Sequence, residues 1–168
     1  MNELQNTRSR VAFRQSILEV EQQILAAVAN GSLESGLDKC RLAHLWTPKD
    51  SKYGCHVYAR PFFMPKGSLV TGKIHRHEHL NFIMMGEISV KTEHGLSILK
   101  APEIFVSEVG IKRAVFALTD CLWVTIHLTE HAGEENLDKI EDEVIAKDYE
   151  ELGLIADVAE LDRIGESL

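Results

Sequence analysis

The 168-residue sequence lacks several features that would each indicate a common class of protein. It has no uncharged apolar run long enough to cross a bilayer, so it predicts no membrane-spanning helix. It has neither glycine-rich phosphate-binding pattern, GxGxxG or GxxxxGKS/T, and no GxSxG nucleophile elbow. These absences argue against a Rossmann or P-loop nucleotide site and against an α/β-hydrolase.

Positive charge is also scarce. There are 18 lysines and arginines against 26 aspartates and glutamates, which leaves a net charge of −8. Repulsion would oppose binding to a nucleic-acid backbone or to an anionic membrane surface, so the sequence predicts neither partner. Much of the acid lies in residues 133–150, GEENLDKIEDEVIAKDYE, where a solvated helix surface accounts for it.

Cysteine is represented by only Cys40, Cys55 and Cys121, an odd number without a CxxC pair. No apolar signal-type segment follows the start MNELQNTRSR, so we expect no export and a cytoplasmic location. In that compartment the cysteines are expected to be reduced and to behave as small buried hydrophobic residues.

Hydrophobic periodicity divides the chain into three stretches. Residues 1–52 contain an apolar stripe with helical spacing that stops at Asn30-Gly31, and its members are Phe13, Ile17, Val20, Ile24 and Val28. Residues 53–128 contain about eight short apolar or alternating runs separated by turn residues, which is typical of an all-β sandwich or barrel. Residues 129–168 form an acidic helical tail. We therefore predict one domain: a small antiparallel β-barrel with an N-terminal helix and C-terminal helices.

The unusual segment is KIHRHEHLN, residues 73–81, which has a histidine at every second position. In a strand, alternate side chains point to one face, so His75, His77, His79 and Asn81 would project together. Two such imidazoles can reach one metal ion at about 2.0–2.1 Å, and a bend near residues 76–78 would help a third. The alternatives are pocket histidines that only form hydrogen bonds, or a solvated strand.

Two longer stretches, PKGSLVTGKIHRHEHLNFIMMGEISV and APEIFVSEVGIKRAVFAL, resemble the two sequence motifs of the cupin superfamily. The resemblance covers roughly residues 53–127 and is nearest to small phage-encoded cupin-domain proteins. It implies a double-stranded β-helix, dimers or larger rings, and His75 and His77 as metal ligands. It implies a host cytoplasmic location if the chain is phage-encoded. The fold alone does not imply a reaction, because many functions share it.

The sequence departs from the cupin motifs at three positions. Asn81 stands at the glutamate ligand, Glu108 at a proline, and Arg113 at the fourth ligand, a histidine. A guanidinium has no lone pair for a cation but forms a bidentate fork with a carboxylate or phosphate. We therefore expect Arg113 to clamp an anionic ligand; the alternative is a rim ion pair, for instance with Glu108.

The strand CLWVTIH, residues 121–127, offers one more ligand. Trp123, Thr125 and His127 share a face that could line a cavity, although a strand-end histidine at the surface is the alternative. We predict a pocket for a small anionic molecule that holds one divalent ion (Zn, Fe, Ni or Mn). The metal ligands would come from His75, His77, His79 and His127, and the ligand contacts from Arg113, Asn81 and Trp123. Whether the pocket is catalytic stays open; the alternative is a metal-free binding, sequestering or assembly protein.

Overall fold

The computed structural model describes residues 3–165 and shows a mainly β chain with antiparallel sheets. The helices are α1 (Glu3–Ala29), α2 (Leu137–Val144) and α3 (Val158–Gly165). The strands are β1 (Arg41–Leu42), β2 (Leu45–Trp46), β3 (His56–Met64), β4 (Leu69–Thr71), β5 (Ile74–His75), β6 (His79–Met85), β7 (Glu87–Thr92), β8 (Gly95–Lys100), β9 (Glu103–Ser107), β10 (Ala114–Ala117), β11 (Cys121–Thr129) and β12 (Ile145–Ala146). The predicted fold class is confirmed.

Helix α1 ends where the sequence predicts, since Ala29 is followed by Asn30 and by Gly31 with φ of 76°. Its buried side differs from the predicted stripe. Ile17 is buried, but Val20 is 41% exposed, whereas the charged Arg14 is only 7% exposed. Arg14 forms an ion pair with Glu93, so the side of the helix that carries Arg14 packs against the rest of the protein. The spacing of hydrophobic residues cannot predict such a contact.

All eight predicted strands are present, and the structure adds three very short ones, β1, β2 and β12, while β5 is the first part of the histidine segment. Strands β1 and β2 pair with β3, so the sheet already begins at Arg41, within the stretch assigned to the N-terminal extension. Two-residue strands carry too few residues for a period-2 pattern to show. This is why the sequence did not predict them.

The strands form two main sheets that face each other. One has the order β1-β3-β11-β6-β9, with β2 also on β3, and the other has the order β4-β10-β7-β8. A short third ladder joins β12 to β5. The core between the sheets contains Met64, Ile83 and Trp123 from the first and Ile88 and Val115 from the second. One end of this interior is apolar core, and the other contains histidines.

Strands β6 and β7 are joined at Gly86. Its φ is 86°, and a Cβ at this position would lie 2.0 Å from the carbonyl oxygen of Asp120. Only glycine meets both conditions without a backbone shift. None of the helices within residues 3–165 is both long and apolar enough to cross a bilayer.

Candidate metal centre and its cavity

Three histidines from separate strands meet at one end of the interior. His75 ends β5, His79 begins β6, and His127 lies on β11, which runs antiparallel beside β6. One ring nitrogen from each lies within 4.8 Å of the other two. The ring centroids are 4.1 Å apart for His75 and His79, 4.6 Å for His79 and His127, and 5.0 Å for His75 and His127.

His77 is not part of this group. The extended segment breaks after His75, and His77 is exposed. The expectation that four alternate side chains of one strand share a face is therefore wrong, and the chain instead bends at residues 76 and 77. The bend carries the backbone of His77 outward and brings His75 and His79 side by side. The backbone oxygen of His77 still contributes, because it lies 3.2 Å from Nδ1 of His79.

Burial keeps the three imidazoles neutral. Desolvation, with smaller contributions from neighbouring cationic groups, lowers the pKa of His75 to about 2 and that of His127 to about 3. Desolvation likewise lowers the pKa of His79 to about 4, partly opposed by the hydrogen bond to His77. Neutral imidazole is the form that binds a metal ion, so the three rings do not need to lose a proton near pH 7.

Two of the ring nitrogens also have a lone pair that is available to a metal ion. The buried Nδ1 of His75 and Nε2 of His79 have no hydrogen-bond partner. Since a carbonyl oxygen can only accept, Nδ1 of His79 donates to His77, which leaves the lone pair on Nε2. A backbone acceptor of this kind commonly orients metal-binding histidines. The three residues therefore fit a divalent cation.

Asn81 and Trp123 lie next to the histidines and bond to each other. Asn81 is fully buried, and its Oδ1 accepts a hydrogen bond of 2.9 Å from Nε1 of Trp123. Nδ2 of Asn81 donates to the backbone oxygen of His79 at 3.2 Å. Both ends of the amide are therefore used within the protein, and the pair fixes the backbone at His79.

Arg113 is buried with 8% of its surface exposed, and none of the described residues forms an ion pair with it. It donates to Oγ of Ser107, and its guanidinium lies 5.8 Å from the ring centroid of Trp123 and 5.9 Å from that of Phe105. The alternative ion pair with Glu108 is wrong, since that carboxylate lies 3.4 Å from His94. Desolvation lowers the pKa of Arg113 to about 10, so it stays charged at neutral pH.

A cavity of about 490 Å³ joins these groups. His75, Asn81, Arg113 and Trp123 all line it, so the structure brings together four of the seven residues predicted for the site. A smaller cavity of about 240 Å³ shares His75 and Arg60 with it and is also lined by His127. The larger volume lies within the ordinary range of small-molecule sites.

Sequence reasoning missed a row of aromatic groups behind the histidines. His44, Trp46 and Tyr58 stack on one another, and the Tyr58 ring lies 6.2 Å from that of His127. Nδ1 of His44 is 2.6 Å from the Tyr58 hydroxyl. Sequence reasoning also missed Arg60, which shares the inward face of β3 with Tyr58. The alternation in HVYARPFFM would have placed these two side chains on one face, but it does not show that the face is inward.

Comparison with known proteins gives matches only among solved structures. No family model and no curated protein matches the sequence. An ectoine synthase from P. lautus is 13% identical with a TM-score of 0.46, covering 61% of this chain and 72% of its own. A cupin superfamily protein from Desulfitobacterium hafniense is 13% identical with a TM-score of 0.42, covering 53% and 78%. An ethanolamine utilization protein Q from Salmonella typhimurium is 13% identical with a TM-score of 0.44, covering 55% and 71%.

Proposed function

We propose that this chain is a cupin-type protein in which His75, His79 and His127 hold one divalent metal ion in a pocket for a small anionic molecule. The observation that supports this most is the convergence of three buried, neutral imidazoles whose ring nitrogens lie within 4.8 Å of one another. Zinc, iron, nickel and manganese are the candidate ions; imidazole ligands suit zinc, iron and nickel, whereas manganese prefers oxygen ligands.

The bound ion would act as a Lewis acid toward a ligand, since three protein ligands leave coordination positions for water or substrate. The chain's own residues would bind and orient that ligand. Arg113 is charged, buried and free of carboxylate partners, so it is placed to bind an anionic group. Asn81 would hold the Trp123 indole against the cavity rather than contact the ion.

A metal titration tests the proposal. Protein without a polyhistidine tag is treated with a chelator, dialysed, and titrated with Zn²⁺, Ni²⁺, Mn²⁺ or Fe²⁺ while bound metal is measured by elemental analysis. We expect about one ion per chain in wild type and none in His75→Ala and His127→Ala. The exposed His77→Ala is the matched control and should keep the ion. A ratio near zero with every metal, or loss of metal in His77→Ala alone, would contradict the proposed centre.

The rival function is a metal-free binding, sequestering or assembly protein of the phage type, which would use the same pocket without turnover. Two motif departures favour it, Asn81 at the glutamate position and Arg113 at the fourth histidine. It predicts ligand binding that is unchanged after chelator treatment. The metal-dependent proposal predicts that chelation weakens ligand binding. We propose a cytoplasmic location, which is the host cytoplasm if the chain is phage-encoded.

We also propose that two copies associate through the outer face of the β3-β11-β6-β9 sheet. Cross-strand neighbours on this face are apolar throughout: Val57 with Leu128, Ile126 with Leu80 and Val106, and Val124 with Phe82 and Ile104. Leu128, Ile104 and Val106 are 63%, 61% and 59% exposed. A contiguous apolar face is unusual on a monomer, and an uncharged patch is complementary to itself in a twofold dimer.

A further inference from the structure

The larger cavity changes in character from one end to the other, and this change identifies the kind of molecule it would take. Strands β3 and β11 run side by side along it in a fixed register. Two of their inward pairs line the cavity, Arg60 with Thr125 and Phe62 with Trp123, and Met64 lies beyond them on β3. With His75 at the other end, the order of chemical groups is therefore imidazole, cation with hydroxyl, aromatic pair, and aliphatic side chain.

The cationic end contains more positive charge than the protein itself neutralises. Arg60, Lys73 and Arg113 line the cavity, and no aspartate or glutamate is among its described lining residues. Lys73 is paired with Glu141, which does not line this cavity. Among residues 3–165, the side chain of Arg60 has no hydrogen bond or ion pair, and the side chain of Arg113 donates only to the neutral Ser107. Two guanidinium groups are thus available to an anion.

A polar atom at the same end is also unpartnered. Oγ1 of Thr125 is buried without a hydrogen-bond partner. A buried polar group without a partner is unfavourable, and native proteins keep few of them. Thr125 lies opposite Arg60 across the β3–β11 ladder, so its hydroxyl and that guanidinium are directed to the same part of the cavity.

The remaining wall is apolar. Phe62, Met64, Val70 and Val115 line the cavity beyond the Arg60–Thr125 pair. A strongly hydrated molecule such as a sugar acid or a short dicarboxylate would have to place polar groups against this wall and lose their hydration. A ligand with an apolar body would gain the transfer free energy of its buried surface instead.

We propose that the ligand is a small carboxylic acid with an apolar body. Its carboxylate would lie between Arg60 and Arg113 beside His75, where the Thr125 hydroxyl can donate to it. Its body, of roughly the size of a phenyl ring, would pack against Phe62, Val70 and Val115. The inference rests on the proposed function, because it names the ligand of the same pocket, but the charge and the wall that support it are independent of the metal.

Calorimetric titration with three probes tests the ligand class in wild-type protein. Hydrocinnamate has both the carboxylate and the apolar body, hydrocinnamide lacks the charge, and succinate lacks the apolar body. We expect hydrocinnamate to bind about tenfold or more tightly than either of the others. If hydrocinnamide bound as tightly as hydrocinnamate, the cavity would not recognise the charge. If succinate bound as tightly as hydrocinnamate, the apolar wall would not contribute to binding. Either result, or no binding of hydrocinnamate, overturns the inference.

Variants assign the contacts. Arg60→Gln and Arg113→Gln should each weaken hydrocinnamate binding about tenfold or more while leaving the binding of hydrocinnamide unchanged. Arg8→Gln is the matched control, since Arg8 pairs with Asp162 outside the cavity and its loss should change neither affinity. Unchanged hydrocinnamate affinity in both cavity variants would overturn the assigned contacts.

Metal content measured on the same samples separates this inference from the proposed function. About one ion per chain without hydrocinnamate binding would overturn the ligand class and leave the metal centre in place. Hydrocinnamate binding with the expected preferences but no metal uptake would support the ligand class and overturn the metal centre.

Discussion

The indole nitrogen of Trp123 on β11 donates a hydrogen bond of 2.9 Å to the side-chain oxygen of Asn81 on β6. The bond is diagonal, since the residue opposite Asn81 is Thr125 and Trp123 lies two residues from Thr125 along β11. The bond ties the two strands that contribute His127 and His79. It therefore contributes to the spacing of the proposed ligands without contacting the ion.

Replacing Asn81 separates a supporting role from a ligand role. Asn81→Leu leaves the buried Trp123 N–H without an acceptor, which should cost about 1–3 kcal/mol of unfolding free energy. Metal stoichiometry should stay near one ion per chain. Urea denaturation and elemental analysis measure the two effects. A folded Asn81→Leu protein that no longer binds metal would make Asn81 a ligand, and Trp123→Phe in a double-mutant cycle shows whether the loss comes from this bond.

Stability of the metal-free protein should fall as the solution becomes more acidic. The unfolded histidines have a pKa near 6.5, whereas burial lowers the pKa of His75, His79 and His127 to about 2, 4 and 3. Below pH 6.5 the unfolded state therefore binds more protons than the folded state. The stability that the three neutral histidines contribute is fully present above pH 6.5 and is lost as the pH falls. The limiting slope is about 1.4 kcal/mol per pH unit for each histidine.

Denaturation of chelator-treated protein at pH 7, 6 and 5 measures this effect. In His127→Gln one of the three titrating groups is absent, so its pH dependence should be shallower than that of wild type. Replacement of the exposed His77 should leave the slope unchanged. Constant stability between pH 7 and 5 would show that the three rings are not held neutral by burial.

Glu93 anchors helix α1 to the sheets. Its carboxylate, 1% exposed, accepts from Nε and Nη2 of Arg14 at 2.7 and 2.9 Å and from Nε of Arg10 at 2.6 Å. Burial raises the pKa of Glu93, but the two arginines outweigh this and hold it below its usual value. Glu93→Gln leaves the guanidinium of Arg14 buried without its counter-charge and should cost about 3–5 kcal/mol in chemical denaturation.

The control for Glu93 is the pair of Arg8 and Asp162, whose side chains are 59% and 44% exposed. Asp162→Asn should cost no more than about 1 kcal/mol, because solvent screens an exposed ion pair. If Glu93→Gln lowered the free energy of unfolding as little as Asp162→Asn, the packing of α1 would not depend on the buried ion pair.

Gly86 should tolerate no side chain. Gly86→Ala incurs the strain of a positive φ, about 1–3 kcal/mol, and in addition drives its Cβ into the backbone at Asp120. Gly31→Ala is the matched control, because Gly31 also has a positive φ but nothing lies within 4 Å of its added Cβ. Thermal unfolding should show a larger loss for Gly86→Ala, and equal losses would mean that the hairpin can move away from the contact.

Self-association through the outer sheet face is measured by light scattering coupled to gel filtration. We expect wild type to be a dimer, and Ile104→Asp or Leu128→Asp to convert it to a monomer by placing a charge in the apolar interface. Leu25→Asp on α1 is the control, since Leu25 is 56% exposed but lies outside this face. A wild-type monomer at micromolar concentration would exclude the proposed interface.

Much of the fold could be predicted from short-range pattern. The eight main strands and the end of α1 at Asn30-Gly31 follow from residue spacing and backbone preference. These features depend on neighbours in the sequence, because side-chain alternation and the left-handed backbone of glycine are local properties. The histidine segment stood out for the same reason, whereas Arg113 stood out only through the resemblance to the second cupin motif.

The choice of ligands could not be made in that way. His75, His77 and His79 are equivalent in an alternating segment, and the bend at residues 76 and 77 that excludes His77 is seen only in the folded chain. Likewise, the pairing of Asn81 with Trp123 and of Arg60 with Thr125 depends on the register of β11 against β6 and β3. Register is set by contacts between strands far apart in the sequence, so no local pattern contains it.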